Sequence, residues 1–156
     1  MNSTNKTLSV AAIKHGTVID HITAGYALRI IRLLDLAANK SQVTVGLNLP
    51  SKQLRYKDII KVEGHELTPE EVNQIAVFSP KATINIIHDF KVKKKFTVHI
   101  PEVIEYIIIC PNTRCVTNHE RMKTRFWVTS TSQMVQLRCA YCSKQFSEDD
   151  IVAYNS

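Results

Sequence analysis

The spacing of apolar side chains along the first hundred residues switches between a strand-like and a helix-like period. The segment from Thr7 to Ile22 is rich in β-branched and aliphatic residues, which predicts a first strand that bends or bulges at Gly16. Apolar residues then recur with a spacing near 3.6 after Thr23. This pattern predicts an amphipathic helix with Thr23 as its N-cap.

The next segments predict two strands and a second helix. Residues 42–49 place four apolar side chains on one face of a strand that ends at Pro50-Ser51, namely Val43, Val45, Leu47 and Leu49. Residues 57–63 predict the following strand. Thr68 as N-cap, Pro69 at the first helical position and Glu71 in a capping box then predict the start of a helix, with Leu67 and Val72 as a hydrophobic staple.

Two further strands, at residues 82–88 and 90–100, complete an order of β, α, β, β, α, β with one added strand. The simplest fold for this order is a ferredoxin-like split βαβ sandwich, in which two helices pack on one face of an antiparallel sheet. Near Pro101 the pattern changes to a short apolar strand that runs into a cysteine pair. We therefore expect an α+β domain at residues 1–100 and a small all-β zinc-binding domain at residues 101–156.

Four cysteines form two close pairs in this second part. The spacing is Cys-x4-Cys, then 23 residues, then Cys-x2-Cys, which gives Cys110, Cys115, Cys139 and Cys142. Four thiolates on knuckle-like turns are typical of a closed, tetrahedral, structural zinc site with no open position for catalysis. The alternative is two disulfides or four unrelated thiols. His119 lies close in sequence, but with four sulfurs present we expect it to be a solvated loop residue.

The charge is distributed unevenly and bears on possible partners. Residues 1–100 carry 14 Lys and Arg against 8 Asp and Glu, a net charge of +6, whereas residues 101–156 carry 6 against 6. Four thiolates and one Zn²⁺ would bring the C-terminal part to 0 − 4 + 2 = −2, which is unfavourable for binding phosphates and argues against a zinc-dependent nucleic-acid reader. The sequence shows no membrane-spanning run and no signal-peptide pattern, so we expect a cytoplasmic protein.

No catalytic signature accompanies the cysteines. The common nucleophile-elbow, zincin, P-loop and dinucleotide-binding motifs are absent from the sequence. Asp20 and His21 could form an acid/base pair, but adjacent strand residues are expected to point to opposite faces. Lys91, Lys93, Lys94 and Lys95 could gather around an anion, although lysines that protect an edge strand from aggregation give the same pattern.

Several of these motifs together resemble aspartate carbamoyltransferase regulatory chains. They are GTVIDHI at 16–22, GLNLPS at 46–51, KDIIKVE at 57–63, CPNTRC and CAYC, and the resemblance extends from about Leu8 to Tyr154. It implies an N-terminal domain that binds nucleotide effectors and pairs regulatory chains into a homodimer. It also implies a zinc module that docks on the catalytic chain of the first committed pyrimidine enzyme, with no catalysis in either part.

The resemblance also implies an effector site by position. The corresponding residues are Ala12, Ile13, Val18, Asp20, His21, Lys61, Asn85, Ile87, Phe90, Val92 and Lys95. By resemblance, backbone groups near Ile13 and Phe90 read the base edge, Lys61 and Asp20 lie near base and ribose, and His21 and Lys95 meet the phosphates.

A few further positions also follow from the resemblance. Lys57 is expected to help a second nucleotide through a metal-bridged arrangement. Asn112 matches an interface position with the catalytic chain, whereas Arg114 departs from the expected asparagine, and Lys93 with Lys94 exceeds the expected number of lysines.

The resulting hypothesis is a non-catalytic allosteric subunit that binds CTP, UTP or ATP and transmits the signal to catalytic chains, with no nucleic-acid or membrane partner. The alternatives are a zinc-ribbon nucleic-acid-binding protein and a small metalloenzyme. The latter would need an open zinc position that four cysteines do not leave.

Overall fold

The computed structural model of the protein describes residues 12–131 and 134–155. The N-terminal part consists of β1 (Gly16–Thr23), α1 (Ala27–Leu33), β2 (Val43–Ser51), β3 (Arg55–Glu63), α2 (Pro69–Phe78), β4 (Thr83–His88) and β5 (Lys91–Thr97). The C-terminal part consists of β6 (Val103–Glu105), β7 (Arg125–Ser130), β8 (Val135–Cys139) and β9 (Gln145–Ser147), with 3-10 helices at Val116–Asn118 and Glu148–Asp150. None of the described helices is long and apolar enough to span a membrane.

The five N-terminal strands form one antiparallel sheet in the order β2-β3-β1-β4-β5. In this split βαβ order β3 lies between β2 and β1, and β5 is an added edge strand. The four C-terminal strands form a second antiparallel sheet in the order β6-β7-β8-β9. The predicted α+β fold with a small all-β part that carries the cysteines is therefore confirmed.

The start of α2 follows the prediction closely. Thr68 is the N-cap, its hydroxyl accepts a hydrogen bond from the Glu71 amide, and the Glu71 carboxylate accepts one from the Thr68 amide at 2.8 Å. Pro69 is the first helical residue. These hydrogen bonds join residues only three positions apart, which explains why the sequence alone could predict them.

The predicted N-cap of α1 is wrong. The helix begins at Ala27 with Tyr26 as N-cap, and no side chain of α1 caps it. Instead, Asp58 of β3 caps this end of the helix. Its fully buried carboxylate accepts hydrogen bonds from the amides of Gly25, just before the helix, at 3.0 Å and of Ala27 at 3.2 Å. The Thr23 amide donates to the Ser79 hydroxyl at 3.0 Å, so Thr23 belongs to β1 rather than to the helix.

The strands β1 and β2 contain irregularities that alternation did not predict. In β1 the register shifts between Ile19 and Ile22, not at Gly16, where the strand begins. The part of the predicted first strand at residues 7–11 lies outside the described residues. A second shift lies between Gly46 and Leu49 in β2, which leaves Leu47 46% exposed rather than on a common apolar face. In addition, β2 continues through Pro50 to Ser51.

The two parts share buried apolar side chains. The core cluster of the N-terminal sheet and helices is continuous with that of the second sheet, in which Phe126, Leu137 and Ile151 are buried. The Phe78 and Tyr154 rings meet edge to face at 5.9 Å. At the surface of this contact, the Tyr26 hydroxyl donates a hydrogen bond to Asp149 at 2.9 Å.

Candidate metal centre and nucleotide face

Four cysteine sulfurs converge at one point of the C-terminal part. The Sγ atoms of Cys110, Cys115, Cys139 and Cys142 all lie within 4.8 Å of one another. Cys110 and Cys142 are 3.8 Å apart, and Cys115 and Cys139 are 3.7 Å apart. Sulfurs about 2.3 Å from a central ion at tetrahedral angles are about 3.8 Å apart, so the cluster has the size of a four-thiolate metal site. None of the four cysteines forms a disulfide bond, which argues against the alternative of two disulfides.

The first cysteine pair sits on a turn that two asparagines hold closed. The Asn118 side-chain amide donates to the carbonyls of Cys110 at 3.0 Å and Asn112 at 2.7 Å. The Cys115 amide donates to the Asn112 carbonyl at 2.9 Å. These contacts span the residues between the two sulfurs and bring Cys110 and Cys115 to the same side of the turn.

The second pair lies at the end of β8. Cys139 is the last residue of this strand, and its amide and carbonyl are bonded to Lys144 at 3.0 Å and to Ser143 at 2.9 Å across a tight turn. Ser143 has a positive φ of 61° that allows the chain to reverse there. The turn aims both sulfurs at the first pair.

Three of the thiols have a shifted pKa. Burial raises the pKa of Cys110 and of Cys139 above the ordinary value. Burial also tends to raise the pKa of Cys142, but hydrogen bonds from the Lys144 amide, the Asn112 side chain and the neighbouring thiols lower it to about 7. Four thiolates this close together, three of them buried, need a cation beside them, and a bound metal would supply it.

His119 is not part of this cluster. Its Nε2 atom lies 2.9 Å from the Thr113 carbonyl, and the residue is exposed. Among the described residues, the four cysteines are the group that could hold a metal ion. The expectation that His119 is a loop histidine agrees with this placement.

The predicted interface residue Asn112 and the unexpected Arg114 both lie on the first cysteine turn. Asn112 also has a local role, because its Oδ1 atom accepts a hydrogen bond from the Arg114 amide at 3.2 Å. The Arg114 side chain is exposed. Asn112 therefore helps to shape the turn, and its position is compatible with a contact to a partner.

The predicted effector residues lie mostly on the face of the first sheet that the helices leave open. Ile19, Ile60 and Ile84 point into the core below the helices and are fully buried, so their neighbours in each strand point to the other face. In antiparallel sheets, paired residues share a face. One row crosses four strands: Lys61 pairs with Val18, Val18 with Asn85, and Asn85 with Lys95.

The remaining predicted residues extend this face in both directions. Ile87 pairs with Val92 toward one end of the sheet, where Phe90 and the segment before β1 also meet, and the Phe90 amide donates to the Lys14 carbonyl at 3.1 Å. Ala12 is exposed and Ile13 is buried at this end. Because its amide is already bonded, Phe90 is not a free backbone donor for a base, which qualifies the role expected for it.

Asp20 and His21 lie at the opposite end of the face, and the expectation that they point to opposite sides is wrong. The irregularity in β1 inserts one extra residue between Ile19 and Ile22, and since both isoleucines are fully buried, the two residues between them turn outward together. His21 Nδ1 lies 4.0 Å from the Asp20 carboxylate and 3.0 Å from the Thr83 hydroxyl. Thr83 was not predicted, and nothing in its sequence context distinguishes it from an ordinary strand threonine.

Cationic groups exceed acidic ones on this face. The Lys57 ammonium lies 2.8 Å from the Asp20 carboxylate. Burial raises the pKa of Asp20, but hydrogen bonds from Lys57 and from the His21 amide outweigh it and lower that pKa below its ordinary value. Burial lowers the pKa of Lys61, and the charge of Asp20 partly offsets this effect. By register, Lys57, Lys61 and Lys95 share this face with two carboxylates, those of Asp20 and Glu63. The remaining excess of positive charge suits an anionic ligand.

A cavity of about 530 Å³ lies elsewhere, between α2 and β5 on the helix side of the sheet. The predicted effector residues and this cavity therefore lie on separate surfaces.

Comparison with known proteins accounts for both parts of the chain. Residues 8–99 match the family described as aspartate carbamoyltransferase regulatory chain, allosteric domain, and residues 102–152 match the metal binding domain of the same chain. The aspartate carbamoyltransferase regulatory chain of Pyrococcus abyssi is 50% identical over 148 residues, which cover 94% of this chain and 97% of the relative. The regulatory chain of Tolumonas auensis is 46% identical over 147 residues, which cover 94% and 96%.

Proposed function

Since the chain belongs to the family of aspartate carbamoyltransferase regulatory chains and is a non-catalytic subunit, we propose that it binds nucleotide effectors and transmits their binding to catalytic chains. The effectors are CTP, UTP and ATP. They bind at the open face of the first sheet, and the cysteine-bearing part docks on the catalytic chain. The proposed domains are residues 1–100 for effector binding and 101–156 for metal binding and docking.

The observation that carries this proposal is the row of Lys61, Val18, Asn85 and Lys95 across four strands. An apolar side chain and an amide between two lysines offer a surface for a nucleoside next to charges for its phosphates. Lysine provides the point charge that suits a triphosphate.

The dimensions of the face fit a nucleotide lying along the strands. Ile87 pairs with Gly16, and Thr83 pairs with Asp20 four residues further along β1. Four residues of strand span about 13 Å, which is the order of length of an extended nucleoside triphosphate. We propose that the base lies toward Ile13 and Phe90, and that the phosphates lie toward His21 and Lys95.

The proposed metal is one structural zinc ion. The donor set of four thiolates and the sulfur separations of 3.7 and 3.8 Å support it, because tetrahedral four-thiolate sites are typical of structural zinc. When bound, zinc neutralises the buried thiolates and ties the two cysteine turns together. It leaves no position for a reacting water, so its contribution is to folding and docking.

Regulation in this scheme is thermodynamic. A nucleotide shifts the equilibrium between two states of the assembly only to the extent that it binds one state more tightly. The shared core between the two parts, including the contact of Phe78 with Tyr154, provides a packed connection through which the two domains influence each other. We propose that the chain acts as a homodimer bound to catalytic chains.

Two adjacent lysines of β5 allow a matched test. Lys95 pairs with Asn85 on the open face, whereas Lys94 pairs with Ile86 on the helix side. Isothermal titration of the zinc-loaded chain with CTP, UTP and ATP should show affinity reduced about tenfold by Lys95→Gln, since one charge-assisted contact is lost. Lys94→Gln removes the same charge from the same strand and should leave affinity unchanged. Equal effects of the two substitutions would contradict the proposed face.

A further inference from the structure

A groove lies between α2 and β5, on the opposite side of the sheet from the nucleotide face. Its volume is about 530 Å³, within the range of small-molecule sites. We call it the α2–β5 groove and define it by its apolar floor of Leu67, Val72, Ile86 and Phe96 and its cationic rim of Lys93 and Lys94. None of these residues belongs to the effector site or to the cysteine cluster.

The floor is apolar and already formed. Leu67, Val72 and Ile86 are at most 8% exposed and belong to the core, while Phe96 is partly buried and packs against it. Val72 lies in α2, Ile86 in β4 and Phe96 in β5, whereas Leu67 directly precedes the N-cap of α2. Most of the floor therefore rests on regular elements. A flat apolar or aromatic group could lie on it with little rearrangement.

An irregularity in β5 brings both lysines to this groove. Ile87 pairs with Val92 and Ile86 pairs with Lys94, so Lys93 is an extra residue in β5. Such a bulge re-aims side chains, and here both Lys93 and Lys94 line the groove although they are adjacent in sequence. The Lys94 ammonium lies 5.4 Å from the centre of the Phe96 ring.

The rim has a surplus of positive charge. Within residues 12–131 and 134–155, neither Lys93 nor Lys94 forms an ion pair with an acidic side chain. The one acidic residue that lines the groove, Glu66, is paired with His88 at 3.1 Å. His99, also at the groove, adds a further donor.

From the apolar floor, the two lysines and the size of the groove, we propose that the α2–β5 groove binds a small amphipathic organic anion, with an aromatic or similarly flat body on the floor and a carboxylate or phosphate at Lys93 and Lys94. A neutral molecule of the same shape could pack on the apolar floor but would not interact with the charges of Lys93 and Lys94. A purely inorganic anion could interact with these charges but would not pack on the floor. The combination of both features selects the amphipathic class.

The test uses 2-naphthoate as the probe and the neutral 2-naphthamide as its isostere, each titrated into the zinc-loaded full chain by ligand-observed NMR. We expect saturable binding of the naphthoate, about tenfold tighter than that of the amide. Lys93→Gln combined with Lys94→Gln should reduce naphthoate binding to the level of the amide. Asn73→Trp, at an exposed position of α2 that lines the groove, should block both probes without disturbing the core.

The control is Lys81→Gln combined with Lys91→Gln, which removes the same net charge from residues outside the groove and should leave naphthoate binding unchanged. Circular dichroism and nucleotide titration establish that each variant is folded. Absence of naphthoate binding to the wild-type chain would overturn the proposal. Equal binding of the acid and the amide would also overturn it, and so would unchanged binding in the Lys93 and Lys94 variant. In that case the two lysines would only protect an exposed strand edge from aggregation.

Discussion

The carboxylate of Asp20 lies 2.8 Å from the ammonium of Lys57, joining β1 to β3 on the open face of the sheet. The two side chains are about one fifth exposed. Lys57 was expected to take part only in binding a second nucleotide. In the structure it also holds Asp20 in its charged form, and this has a consequence for stability.

Replacing Asp20 with Asn should lower the free energy of unfolding near neutral pH. Although burial raises the pKa of Asp20, the contacts with Lys57 and the His21 amide lower it below the ordinary value of 3.8. A lowered folded-state pKa contributes stability above pH 3.8, and that contribution is lost as the pH falls through the folded-state pKa. The difference between wild type and variant should therefore shrink in acid.

Urea unfolding of wild type, Asp20→Asn and the exposed control Asp35→Asn at several pH values measures this difference. Comparison between variants cancels the loss of metal that acid causes in all of them. A difference that stays constant from neutral to acidic pH would show that the Lys57 contact does not stabilise the charged carboxylate.

Asp58 should be among the residues most sensitive to substitution. Its carboxylate is fully buried and accepts hydrogen bonds from the amides of Gly25, Ala27 and Asn48. Asp58→Ala would leave these donors without their acceptor, which should lower the free energy of unfolding by about 3 kcal/mol. Denaturant titration against Asp35→Ala as an exposed control provides the measurement, and similar losses in both variants would be inconsistent with this role.

Gly16 should be nearly irreplaceable where β1 begins. Its φ is +142°, and a Cβ atom at this position would lie 2.0 Å from the Val62 carbonyl oxygen of the neighbouring strand. Gly16→Ala should therefore destabilise the chain by about 3 kcal/mol or more. Gly25→Ala is the control, because Gly25 also has a positive φ but no atom within 4 Å of the added group. Thermal unfolding should rank Gly16→Ala well below Gly25→Ala, and the reverse order would refute the close approach to β3.

Removing the metal should affect docking before it affects nucleotide binding. Metal analysis of chain purified without chelator should find one zinc ion for the four thiolates. Chelation or Cys139→Ser should release the catalytic chain in size-exclusion chromatography, because the two cysteine turns lose their common ion. CTP titration of the same samples should retain most of its affinity. Loss of nucleotide binding first would contradict the proposed division of roles.

The sequence was sufficient where structure depends on neighbours along the chain. The α2 cap involves Thr68, Pro69 and Glu71 within four positions, and the cysteine pairs each lie on one turn. The element order also sufficed for the split βαβ arrangement, because few topologies accommodate it.

The sequence was insufficient where a residue distant along the chain makes a contact that a neighbouring residue usually makes. The cap of α1 comes from Asp58, more than 30 positions away, so no local pattern identifies it. Alternation likewise cannot locate the extra residue in β1 that turns Asp20 and His21 outward together, nor the one in β5 that directs Lys93 and Lys94 to the groove. Such irregularities depend on pairing between strands.

The most direct test of the whole account measures carbamoyltransferase activity of catalytic chains assembled with this chain, with and without saturating CTP, UTP or ATP. The account predicts that at least one nucleotide changes the activity of the wild-type assembly, that Lys95→Gln shifts this response to about tenfold higher nucleotide concentration, and that Lys94→Gln leaves it unchanged. An assembly whose activity does not respond to any nucleotide, or responds equally in the Lys95→Gln variant, would contradict it.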